Sequence, residues 1–194
     1  MKKNLWLLGL LVFIFAGCDT DSEADTWSEI TSLHQLQGTW VGTQNRTMPL
    51  KDILEAAGYL EYADPVQVAA IKDINVTVAV HAVIIIVAHD DNEGIMSGTT
   101  STTIAFSGGN IARLWPLIKA MYEDMLPSDV IINDKNHSIT MNNDMPPDTI
   151  TLEELEDQLQ INQTGTRLRT EIDPGDLGEW GSLLPSEVIF TKVS

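Results

Sequence analysis

The run from Ile74 to Ala88, INVTVAVHAVIIIVA, constrains the fold more than any other stretch of the chain. Ile74, Val76, Val78, Val80, Ala82, Ile84, Ile86 and Ala88 recur every second residue, the period of a strand whose successive side chains point to opposite faces. The other face opens with Asn75, Thr77 and His81 and turns apolar at Val83, Ile85 and Val87. Such a strand is expected to be half-exposed at first and buried on both faces later. At ~3.3 Å per residue it extends roughly 50 Å, long for a flat sheet. A strand that coils around a barrel and is covered outside by a helix meets both properties.

The segments around it continue the alternation. Asp90 to Gly94, DDNEG, reads as a hairpin loop, and IMSGTTSTTIAF after it as a Thr-rich strand. VIIND and HSITM form a second hairpin around Lys135-Asn136, and LQINQ and TRLRTEI a third around Thr164-Gly165. In the last of these, Leu168, Thr170 and Ile172 face one way and Arg167, Arg169 and Glu171 the other. With GTWVGTQN at the start and SEVIFTKV at the end, eight strands are predicted. The fold class is therefore mainly β, an eight-stranded antiparallel barrel with inserted helices.

Helical spacing interrupts the strands in three places. MPLKDILEAAGYLEY and DPVQVAAIK each carry proline near a first helical turn. In GGNIARLWPLIKAMYEDML, Ile111, Leu114, Trp115, Ile118, Met121, Tyr122 and Met125 fall on one helical face behind Asn110 as N-cap, with Pro116 kinking or starting the helix. This stripe reads as the seal between helix and barrel rather than as a cofactor box. Thr151-x-x-Glu154 has the form of a capping box.

The N-terminus is a separate matter. Lys2 and Lys3, an apolar run from Leu5 to Phe15 and the small pair Ala16-Gly17 make residues 1–17 a leader, too short in its apolar part to span a bilayer. Cys18 directly follows Phe15-Ala16-Gly17, which resembles the lipobox of bacterial lipoproteins. That resemblance implies cleavage before Cys18, acylation of its sulfur, and anchoring to a membrane of a bacterial cell envelope, with the domain in the periplasm or at the cell surface. Cys18 is the only cysteine, so no disulfide forms within one chain. Residues 18–32, with DTDSEADTWSEITS, read as an acidic flexible tether carrying one Trp27, and residues 33–194 as one domain.

Charge bounds the partners. The chain holds 28 acidic against 11 basic residues, a net charge of −17, so nucleic acid and anionic headgroups are repelled by the molecule as a whole. No HExxH, GxSxG, phosphate-binding loop or paired-cysteine metal pattern is present, and His34, His81, His89 and His137 lie in different segments. No catalytic residue, metal site or cofactor is expected. The acidic HDDNEG, His89 to Gly94, reads as a solvated hairpin tip, and Phe106-Ser-Gly-Gly-Asn110 as an ordinary helix start.

Eight antiparallel strands opening with Gly38-Thr39-Trp40, preceded by SLHQLQ, resemble the lipocalins and their bacterial lipoprotein relatives. The resemblance implies that Gly38 and Trp40 plug one end of a barrel, with a basic side chain, Lys192 or Arg169, across the indole ring. It also implies a lumen for a small hydrophobic or amphipathic ligand. By the alternation, Val76, Val78, Val80, Ile84, Ile86, Ile104 and Phe106 are the candidate lining. The alternative is a surface interaction protein with a filled barrel, whose long inserted helices and Thr99 to Thr103 meet a protein partner.

Overall fold

The long alternating run forms one uninterrupted strand, β3 (Asn75–Ala88), antiparallel to β2 (Gly38–Pro49) on one side and β4 (Glu93–Ser107) on the other. The structure is a computed structural model that describes residues 26–56, 58, 60–61, 64–125, 130–156, 158–171 and 187–193. The expected leader at residues 1–17, Cys18 and Ile172 lie outside these residues. The remaining strands are β1 (Trp27–Glu29), β5 (Val130–Asn133), β6 (Ser138–Thr151), β7 (Leu159–Asn162), β8 (Arg167–Glu171) and β9 (Glu187–Lys192). They join one sheet in the order β1-β7-β8-β9-β2-β3-β4-β6-β5, every pair antiparallel.

Nine strands therefore replace the expected eight, and among the described residues no ladder joins β1 to β5, so the sheet is not closed into a barrel. The extra strand comes from the segment read as tether: Trp27–Glu29 pairs with Gln160–Asn162. Three residues of polar sequence carry no period to detect, and their pairing is fixed by a partner more than 130 positions away. β6 is also much longer than HSITM. It runs on through Pro146 and Pro147 because the ladder with β4 skips a step between Met96 and Gly98, and prolines without an N–H are tolerated at such a bulge.

The sheet is strongly rolled, which follows from one short connection. β1 and β4 are six strands apart, about 29 Å in a flat sheet at ~4.8 Å per step. Yet Ser32, three residues after β1 and within about 11 Å of it, places its hydroxyl 2.5 Å from Asp91 Oδ1 in the β3–β4 hairpin. The next residue, Leu33, donates its N–H to the Asp91 carbonyl at 2.9 Å. Only a rolled sheet brings those ends together.

Rolling gives the sheet an inner face and an outer face. The even residues of β3 from Val76 to Ile86 point inward and are buried, together with Trp40, Phe106, Ile139, Ile150, Ile161, Leu168, Val188 and Phe190. The outer face departs from expectation: no described helix covers the late part of β3, and Ile85 and Val87 are 41% and 49% exposed. The helices instead gather at the two ends. Short α1 (Leu33–Leu36) and α5 (Leu152–Leu155) sit near the β3–β4 hairpin, where Leu33 N–H bonds Asp91 and Leu152 N–H bonds the Asn92 carbonyl. At the other end, α2 (Leu50–Ala56) and α3 (Pro65–Ile71) link β2 to β3, and α4 (Ile111–Met125) leaves β4, passing through Pro116 without ending.

Candidate functional site

Trp40 shows why GTW stands where it does. Ser32 caps α1, accepting the His34 N–H at 3.1 Å, while the Gln35 side chain accepts the Ser32 N–H at 3.2 Å. This single helical turn buries Leu33 and Leu36 completely and aims the Leu36 carbonyl inward. There it accepts the Trp40 Nε1–H at 2.6 Å, so the fully buried indole loses no hydrogen bond. Gly38, with φ of 136°, takes a backbone conformation open to glycine that turns the chain out of α1 into β2. Lys192, paired with Trp40 in the β2–β9 ladder and so on the same face, holds its Nζ 5.1 Å from the ring centroid. Of the two cations open in the sequence, Lys192 takes this place. Arg169 lies on the opposite face.

The seven residues expected to line a lumen all face inward together: Val76 pairs with Phe106 and Val78 with Ile104. Among the described residues they are packed as core. Val76, Val78, Val80, Ile84, Ile86 and Phe106 are between 2% and 8% exposed, and Ile104 packs against the same core. Among the described residues, the gap bounded by Gly42, Gln44, Val80, Ala82, Val188 and Phe190 is nowhere wide enough for a water molecule. Gly42 shows how tight the packing is: a Cβ there would lie 2.7 Å from the Phe190 ring.

At the helical end, α4 is fixed to the β5–β6 hairpin by one carboxylate. Asp134 accepts the Trp115 Nε1–H at 2.8 Å and pairs with Lys119 Nζ at 3.0 Å. Trp115 also packs edge-on to His137 and tilted against Phe106, with centroids at 5.4 and 6.2 Å. The indole hydrogen bond first, and then Lys119, hold the Asp134 carboxyl below its ordinary value. Ile111 and Trp115 are buried, and Leu114 and Ile118 partly so, the seal that the spacing implied; the side chains of Met121, Tyr122 and Met125 lie outside the described set.

No protein family, curated protein or solved structure matches the chain. The site is therefore read from its own chemistry. The acidic tip is used structurally: Asp90 Oδ1 accepts the Asn92 and Glu93 N–H groups, both at 2.8 Å, which lowers its pKa, and Asp91 anchors Ser32. Among the described residues no group of three His, Cys, Asp or Glu side chains is arranged to hold a metal ion, and no helix is long and apolar enough to cross a membrane.

The feature that sequence reasoning missed is on the outer face. Trp27, assigned to the tether, is built into the sheet with the guanidinium carbons of Arg169 and Arg167 at 4.9 and 6.0 Å from its ring centroid. Arg169 also bonds the Gln160 side chain. The signal was half present, since Arg167 and Arg169 were read as sharing a face. What they share it with was set by the β1–β7 pairing, which no local pattern announces.

Proposed function

We propose that this chain is a non-catalytic, lipid-anchored protein of a bacterial envelope whose β domain has a filled interior and works through its surface, binding a protein partner. One observation carries the reading: the residues placed to line a ligand cavity are packed as core, and the gap among them admits no water molecule. Kinship with the lipocalins stays within this proposal. Trp40 under Lys192 at one end of a rolled sheet supports it, and the open order of nine strands is its main departure.

The helical end is the partner surface on this reading. Val66 on α3 and Leu117 on α4 are 75% and 63% exposed, and these helices stand at the end away from Trp40 and the β3–β4 hairpin.

Titrating fatty acids against tryptophan emission is expected to give no saturable response, and native mass spectrometry of the protein from its own host no stoichiometric small molecule. A photocrosslinker at Leu117 or Val66 is expected to trap one discrete protein that the same group at Thr43 does not. A bound small molecule at one per chain would sink the filled-interior reading.

A further inference from the structure

The last edge of the sheet is built differently in its two halves. β5 covers only Ser138–Met141 of β6. From Asn142 to Thr151, β6 is itself the outermost described strand, and there Asp144, Pro146, Pro147 and Asp148 are all exposed around the bulge opposite Met96 and Gly98. Prolines, carboxylates and bulges are the devices that keep a foreign strand off an open ladder. The opposite edge is guarded as well: β1 is three residues long, with Trp27 under two guanidiniums and Glu29 exposed. β5, Val130 to Asn133, has neither proline nor charge. Val130 and Ile132 pack inward against the core, while Ile131 points out and is 58% exposed.

The register shows which backbone groups β5 offers. Phe106 donates its N–H to the His137 carbonyl at 2.9 Å, so His137 faces β4. Sides alternate along a strand, so Ser138 and Thr140 face β5 and bond Asn133 and Ile131, their partners in the ladder. The N–H and C=O groups of Val130 and Ile132 therefore turn to the outer edge, where no described strand meets them. An edge of this kind specifies the conformation of its occupant, since an extended segment matches its donors and acceptors. From these observations we infer that β5 is the docking edge for an extended segment of the partner protein, apolar in its middle and basic at its ends, which joins the sheet as one more strand.

The basic ends follow from what brackets β5. Asp129 precedes Val130 and Asp134 follows Asn133, in a chain of net charge −17. Asp134 pairs with Lys119 and still has a side chain 64% exposed. Cations at the ends of an incoming strand complement that pair of carboxylates. A second copy of this chain suits the edge less: pairing β5 with itself about a two-fold axis sets Asp129 opposite Asp134 at both ends. Asp134 also holds α4, whose Leu117 is 63% exposed, so a strand on β5 deepens the reading of the helical end as the partner surface and rests on it.

The test reads amide exchange by NMR on the intact protein in detergent. In the free protein the Ile132 N–H is expected to exchange about tenfold faster than the Ile131 N–H, which bonds Thr140. A synthetic peptide of alternating valine and threonine with lysine pairs at both ends is expected to slow Ile132 about threefold and to leave β3 unchanged. The same peptide ending in glutamate pairs is expected to have no effect. Ile131→Lys should abolish the protection without moving the urea midpoint. An Ile132 amide as slow as Ile131 in the free protein means that the chain covers its own edge, and overturns the inference; so does a lysine peptide that leaves Ile132 unchanged. Equal protection by the glutamate peptide overturns the basic partner, and protection that rises with protein concentration alone replaces the partner by a second copy. A photocrosslinker at Leu117 that traps a discrete protein, while one at Ile131 traps none, overturns the β5 edge and leaves the partner surface standing. Failure at both positions removes both.

Discussion

Trp40 and its neighbours concentrate the cost of single substitutions. Its ring is fully buried, hydrogen-bonded to Leu36 and covered by Lys192, so Trp40→Ala removes packing and leaves a carbonyl unpaired. A loss of about 3–5 kcal/mol is expected in urea unfolding. Lys192→Gln, which keeps most of the chain length and removes the charge over the ring, should lose only about 0.5–2 kcal/mol. Gly42 tests the opposite error. Alanine there has to displace the Phe190 ring, 2.7 Å from the added carbon, and overpacking of that kind costs about 1–3 kcal/mol. Combining Gly42→Ala with Phe190→Leu should recover part of that loss, which a double-mutant cycle measures.

Among the described elements, α4 is attached through a carboxylate, which makes its attachment depend on pH. Asp134 is held below its ordinary value of 3.8 by the Trp115 indole N–H and Lys119. A carboxylate with a depressed folded-state pKa stabilises in full above its unfolded value, and the contribution disappears as pH falls through the depressed one. Amide exchange of residues 111–120 is thus expected to speed up relative to β3 below pH 3.8, and Asp134→Asn to flatten that difference. How far such elements were legible follows from the range of their signals. The period-two run of β3, the hairpins at Lys135-Asn136 and Thr164-Gly165, and the capping box whose Glu154 accepts the Thr151 N–H at 3.0 Å are all local, and all stand where the sequence places them. β1 and the second half of β6 exist only because distant strands offer them a ladder, and neither has a pattern of its own. The residues of the candidate lining share one inward face. Whether that face meets a lumen or other side chains depends on how tightly the sheet rolls, and alternation does not encode curvature.

For the molecule as a whole, the position of β9 decides how the chain can fold. β9 stands between β8 and β2, so without residues 187–192 the sheet falls into two pieces, β1-β7-β8 and β2-β3-β4-β6-β5. A chain from which residues 187–194 have been removed is expected to lose its single cooperative unfolding transition, measured by circular dichroism in urea. The pairing of Trp40 with Lys192 spans about 150 positions, and contacts of that separation are closed late and slowly. A chain that leaves a ribosome or a membrane pore N-terminus first has Trp40 waiting while about 150 further residues emerge before the strand that carries its lysine. The sheet thus cannot be completed before β9 has emerged, and until then synthesis or passage through a narrow channel meets an unlocked chain rather than a folded one.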